Sequence, residues 1–195
     1  MTRRSFGCKL RFASFAPHSF NVGRHKNMRI AIIGNSGSGK TTLARQLEVE
    51  YGLVTLDLDT IAWEPGKVAV PRQQELAFDD VAAFCSANES WAVEGCYAGL
   101  VSVALKYSTL LLFVEPGVEA CLLNCRSRPW EPHKYKSKQE QDEKLGFLLS
   151  WVREYYLRDG ELSLKAHQAL FDSFQGPKRK LTGRVDRALV SELDT

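Results

Sequence analysis

The segment Met28 to Leu47, MRIAIIGNSGSGKTTLARQL, limits what this chain can fold into more than any other. It reads as a strand, a glycine-rich turn and the start of a helix. Arg29 to Ile33 is a short apolar run suited to a parallel strand buried on both faces. Gly34-Asn35-Ser36-Gly37-Ser38-Gly39-Lys40-Thr41 fits G-x-x-x-x-G-K-[ST] at every fixed position. The three glycines release the backbone from side-chain clashes, so the loop can curl with its N–H groups facing phosphate oxygens. Lys40 sets a compact positive charge against the β- and γ-phosphates, and the Thr41 hydroxyl is a candidate Mg²⁺ ligand. The helix that follows points its positive end at the same anion, and Leu43, Ala44 and Leu47 give it one apolar face. A chance match would lack this strand-before, helix-after setting. The stretch Gly34, Asn35, Ser36, Gly37, Ser38, Gly39, Lys40, Thr41, Thr42 therefore reads as a site for a nucleoside triphosphate, with ATP and Mg²⁺ the expected ligands.

The 195 residues are enough for one domain with a full core, and 44% hydrophobic with 25% charged residues is ordinary for a soluble globular chain. No stretch is long and apolar enough to span a membrane. The cysteines Cys8, Cys85, Cys96, Cys121 and Cys125 lack paired metal spacing, so reduced thiols in a cytoplasmic protein are expected. The net charge of +3 is concentrated in residues 1–27, where Arg3, Arg4, Lys9, Arg11, Arg24 and Lys26 meet no acid. Acids outnumber bases in the rest, which carries no general polyanion-binding signature. Three explanations of residues 1–27 stand: an extension upstream of a true start at Met28, an organelle transit peptide, or a basic tail. All three place a poorly ordered segment outside a domain of residues 28–195.

The remaining motifs follow in chain order. Leu53 to Leu56 reads as a second strand, ending on Asp57 and Asp59. Ligands of open α/β sheets sit at the carboxyl ends of strands, so these acids fall where a phosphoryl acceptor or hydrated Mg²⁺ would lie; a turn or a helix cap is the alternative use. Trp63 either lines an acceptor pocket or covers the core. A helix is expected from Pro71-Arg72 to about Ala87, with Arg72 solvated or turned to an anionic substrate. Trp91 to Gly95 is a third strand closing on Glu94 and Gly95. Gly95 would admit a substrate close to the backbone, and Glu94 and Tyr97 are hydrogen-bonding candidates for an acceptor. Thr109 to Val114 is a fourth strand, its apolar run implying burial on both faces. Glu115 after it is a candidate Walker-B-type acid.

A helix from Val118 leads into Arg126 and Arg128, and the polar stretch over about 127–145 is expected to form a mobile lid. Arginines on a closing lid stabilise charge on a phosphoryl group in transit and exclude water. Helices are expected over Leu145–Leu157, carrying Arg153, and over Leu162–Phe174. Lys178–Leu181 reads as a fifth strand, the turn Thr182-Gly183 as a border of the nucleotide base, and Arg184–Leu193 as a last helix.

The order of the loop, the LDLD-T-I-A-W and WAVEG-C-Y segments, LLLFVEP and the Arg-rich flap resembles the adenylate-kinase-like P-loop proteins over about Met28 to Leu193. Within them the chain is most similar to the group of DNA topology modulation proteins, with shikimate and gluconate kinases further off. The resemblance implies a three-layer α/β P-loop NTPase fold with a five-stranded parallel sheet, helices on both faces and a lid, together with ATP·Mg²⁺ binding. It implies that Asp57 serves metal-bound water and Asp59 the acceptor hydroxyl. The glycine-rich acceptor motif of shikimate kinases matches only at Gly95, and their carboxylate-gripping arginines have no match.

The expectation is a kinase-like phosphotransferase in which Lys40, Asp59, Arg126 and Arg128 carry the chemistry, Thr41 and Asp57 attend the metal, and Asp57, Asp59, Trp63, Glu94, Gly95 and Tyr97 face a small hydroxyl- or phosphate-bearing acceptor. The alternatives are a nucleotide-dependent regulator of the DNA topology modulation type and a simple NTPase. The acceptor, the choice of ATP over GTP and the oligomeric state are open at this level.

Overall fold

The structure is a computed structural model that describes residues 27–64, 70–130 and 135–183. Its centre is β1 (Arg29–Gly34), where Ile30 and Ile32 point to one side and Ala31 and Ile33 to the other, all without solvent contact. Apolar side chains on both sides demand cover on both faces. Burial of each large side chain contributes about 1.5–3 kcal/mol.

The strands β2 (Val54–Asp57), β3 (Trp91–Gly95), β4 (Leu110–Val114) and β5 (Lys178–Leu181) complete a five-stranded sheet in the order β2-β3-β1-β4-β5. Every pairing is parallel. Parallel neighbours need crossovers, and helices supply them. One face is covered by α1 (Lys40–Tyr51), whose Leu43 and Leu47 pack on Ile30, Ile32 and Leu112. The other carries α2 (Asp59–Ala62), α3 (Gln74–Ala87), α4 (Ala98–Leu105) and α7 (Leu164–Ser173), packed on Ala31, Ile33, Val93 and Phe113. A smaller cluster of Cys121, Leu122, Cys125 and Val152 joins α5 (Val118–Arg126) to α6 (Lys138–Glu154). The expected three-layer α/β architecture is the one observed. Among the described residues no helix is long and apolar enough to cross a membrane.

Several boundaries differ from expectation. Pro71 does not begin a helix; it bridges Trp63 in an isolated antiparallel pair, and α3 starts at Gln74. The helix expected from Leu145 begins instead at Lys138, so the second half of the expected lid is helical. Ser137 caps it by accepting from Glu140 N, while Glu140 accepts from Lys136 N. Pairs four residues apart, Lys138–Asp142 and Glu140–Lys144, line its exposed face. Residues 1–26, the middle of the expected lid at 131–134 and the expected helix Arg184–Leu193 lie outside the described residues.

Candidate functional site

The loop between β1 and α1 is held closed by its own polar groups. Ser38 N donates to Asn35 O at 3.2 Å, and Lys40 Nζ donates to the same carbonyl at 3.0 Å. Gly37 and Gly39 take positive φ of 78° and 101°, which only glycine adopts freely. Gly37 is also indispensable for space, since a Cβ there would meet Cys121 O and Cys125 Sγ on α5. Asn35, Ser38 and Lys40 are all buried. Ser38 Oγ has no hydrogen-bond partner among the described residues. A buried ammonium and a buried hydroxyl lacking a partner, both facing a curled loop, are what a polyanion would complete.

Two supports of this loop come from far along the chain and carried no sequence signal. Asn35 Nδ2 donates to Val152 O of α6 at 3.0 Å, and Asn124 Nδ2 of α5 donates to Gly37 O at 2.8 Å. Such contacts, across 117 and 87 positions, cannot be read from local pattern.

Opposite the loop, the ends of β2 and β3 bring acids together. Asp57 and Glu94 are register partners on adjacent strands. Thr41 Oγ1 donates to Glu94 Oε1 at 2.6 Å, which fixes the hydroxyl rotor. Burial pushes the Glu94 carboxyl above its ordinary range, Lys40 opposes that, and Asp57 and Asp59 reinforce it. Asp59 N donates to Asp57 Oδ1 at 2.9 Å, so the Asp57 side chain also closes the turn into α2. Tyr97 donates its hydroxyl to Asp59 Oδ1 at 2.8 Å and accepts from Trp63 Nε1 at 3.0 Å. Burial and the neighbouring Asp59 push the phenol up, so Tyr97 remains a donor. Lys40, Thr41, Asp57, Asp59, Trp63, Glu94 and Tyr97 thus converge at one end of the sheet.

Other candidates are placed differently. The space above Gly95 is taken by Leu58, whose side chain would lie 2.8 Å from a Cβ there, so packing requires this glycine. Glu115 accepts from Tyr156 at 2.7 Å and lies 3.7 Å from Lys180, whereas the acid that meets Thr41 is Glu94. Arg72 is engaged by Asp80 of α3. Arg126 is exposed at the last residue of α5, and Arg128 is half-buried just beyond, its charge reaching the Cys121 thiol. Arg153 is exposed on α6, and Thr42 is exposed on α1.

No family model and no curated protein matches this sequence. Among solved structures, the chain is similar to an unliganded sugar kinase from Janibacter sp. HTCC2649, with 16% identity and a TM-score of 0.50 over 86% of this chain and 92% of that one. It is similar to the same degree to shikimate kinase from Bacteroides thetaiotaomicron, with 16% identity and a TM-score of 0.50 over 85% and 93%. At that identity the likeness is one of fold, and it is to the P-loop kinase-like fold.

Proposed function

We propose that this chain is an ATP- and Mg²⁺-dependent phosphotransferase acting on a small hydroxyl- or phosphate-bearing acceptor. The observation that carries the reading is the hydrogen bond from Thr41, at the end of the glycine loop, to Glu94, at the strand end beside Asp57 and Asp59. It joins a phosphate-type cradle to a set of acids at the carboxyl edge of one sheet.

The residues fit both ligands. The loop offers Lys40 and the Ser38 hydroxyl, which lacks a partner among the described residues. Thr41, Asp57 and Glu94 are hard oxygen donors of the kind Mg²⁺ takes. Among the described residues no group of three His, Cys, Asp or Glu side chains is disposed to hold a metal by itself; Mg²⁺ bound to a nucleotide keeps several waters and needs few protein ligands. When bound, the metal neutralises charge on the phosphate oxygens.

In this reading Gly34 to Thr42 hold the triphosphate, and Lys40 stabilises charge on the departing oxygens. Thr41 and Asp57 would hold the metal and its waters, with Glu94 orienting Thr41. Asp59, steadied by Tyr97, accepts the proton of an acceptor hydroxyl, and Trp63 offers an aromatic wall. Arg126 and Arg128 close on the transferred group. The narrower likeness to the DNA topology modulation group rests on the segments around Trp63 and Tyr97, which meet in space through the Trp63–Tyr97–Asp59 hydrogen bonds.

The test is ATP turnover by the full chain against nucleosides, nucleoside monophosphates, shikimate and gluconate. One acceptor is expected to accelerate ADP release, and Asp59→Asn to abolish that acceleration. ATP turnover unchanged in Lys40→Ala would refute the proposal.

A further inference from the structure

The last turn of α6 and the residue that follows it reach both halves of the candidate site. Its Val152 carbonyl accepts from Asn35 of the glycine loop. Three residues on, Tyr155 has no solvent contact, and its hydroxyl lies 2.8 Å from His167 Nδ1 on α7. His167 is equally buried, with Nε2 2.8 Å from Cys96 O. Elementary chemistry assigns the protons. A carbonyl oxygen only accepts, so Nε2 carries the hydrogen; the neutral ring then has its lone pair at Nδ1, and Tyr155 donates to it. The chain of bonds runs one way, from Tyr155 through His167 to the Cys96 carbonyl.

A buried, satisfied histidine is usually core filling. The position of its acceptor is what distinguishes this one. Cys96 lies just beyond Gly95, the last residue of β3 in register with β1. Past that point the ladder no longer fixes the chain, and the segment is held from behind by the α6–α7 corner. His167 takes Cys96 O, and Glu161 takes Gly99 N through its carboxylate at 3.2 Å and Ala98 N through its carbonyl at 3.4 Å. Tyr97, between these anchors, orients Asp59.

We propose that His167 is a positioning residue. With Tyr155 it forms a strut that sets the Cys96–Tyr97 segment, and through it the Asp59 carboxylate, in register with the glycine loop anchored to the same turn of α6. Reacting groups must be held to well under an ångström or so for efficient transfer, and a strut between the two loops serves that need. Its use in phosphoryl transfer rests on the function proposed above; the strut itself does not.

The test uses the full chain labelled with 5-fluorotryptophan and read by ¹⁹F NMR, with the Trp63 resonance assigned from Trp63→Phe. The Trp91 resonance, from the buried opposite end of β3, reports whether the core is intact. His167→Phe keeps the ring shape and removes both bonds. His167→Gln keeps an amide donor for Cys96 O and an acceptor for Tyr155. The expected result is a Trp63 resonance shifted or broadened beyond its linewidth in His167→Phe and restored in His167→Gln, with Trp91 unmoved in both. Should His167→Phe fail to fold, Tyr155→Phe removes one bond only and is expected to move Trp63 in the same direction. Addition of Mg·AMP-PNP is expected to shift Trp63 in the native chain and not in His167→Phe. A Trp63 resonance unmoved in a folded His167→Phe or Tyr155→Phe, moved equally in His167→Gln, or answering the nucleotide alike in native and His167→Phe protein would overturn the strut. Absence of any AMP-PNP binding by calorimetry would overturn the phosphotransferase reading instead, while the nucleotide-free comparison still decides the strut.

Discussion

Acid should unfold this protein partly through His167, and the size of the effect follows from its surroundings. Burial is the main force lowering its pKa from 6.5 to about 4; Lys40 and Arg158 add to it, and the backbones of Cys96 and Glu161 oppose it. The folded protein therefore binds this proton less tightly than the unfolded chain does. Between the two pKa values the unfolded state holds more protons, so stability rises with pH. The contribution is complete above about pH 6.5, is lost as pH falls toward about 4, and levels off below. One pKa unit corresponds to about 1.4 kcal/mol, so the full displacement is worth about 3 kcal/mol. Between about pH 7.5 and about pH 5 the loss attributable to this residue is about 2 kcal/mol. Other groups titrate in the same window, so the measurement is a difference. Urea unfolding of the native chain and of His167→Gln at both pH values should show the native chain losing about 2 kcal/mol more, read as a larger drop in midpoint at constant slope. Equal losses would mean that the imidazole is not held neutral, and the assignment of its protons would fail with it.

Three further outcomes are expected. Gly37→Ala, which drives a methyl into Cys121 O and Cys125 Sγ at a φ of 78°, should lower stability by about 1–3 kcal/mol in thermal melts and weaken nucleotide binding by calorimetry. Asn35→Ala leaves the Val152 carbonyl buried without its donor and should cost about 1–3 kcal/mol in denaturant unfolding, with α6 amides exchanging faster by mass spectrometry. Cys85, Cys96 and Cys121, each pushed up to about 11 chiefly by burial, should alkylate with iodoacetamide on the order of a hundredfold more slowly than the same thiols in urea; comparable rates would contradict that burial.

What could be read from the chain was what local chemistry decides. The loop from Gly34 to Thr41 announces itself because its spacing is dictated by the phosphates it would hold. The strands β3, β4 and β5 were legible because unbroken apolar runs or turn residues bound them. The start of α6 differs from the expectation although the sequence carries a signal for it: Ser137 with Glu140 three residues on, followed by opposite charges at four-residue spacing. The polar composition that suggests a lid marks, from Lys138 on, a solvated helix face. Gly95 was expected to make room for a ligand, and Leu58 uses that room, because a glycine's position does not reveal which neighbour needs it. The pairing of Thr41 with Glu94 rather than Glu115 depends on which strand lies beside which, and sheet order is not written in any one strand. His167 lies outside every motif; only the fold brings it to Cys96.

The sheet order also bears on how the molecule is made. Among the described residues no two sequential strands form a hairpin: Arg29 of β1 sits beside Trp91, Ile30 beside Leu110, and Leu111 beside Lys178. Of the strands in the sheet, the central one and its glycine loop are made first and wait, without lateral partners, until β3 follows nearly half-way along the chain and β4 shortly after it. Long-range parallel pairing of this kind folds slowly and exposes apolar strands meanwhile. The strand that carries the glycine loop is thus also the one that spends the longest in search of its neighbours during synthesis.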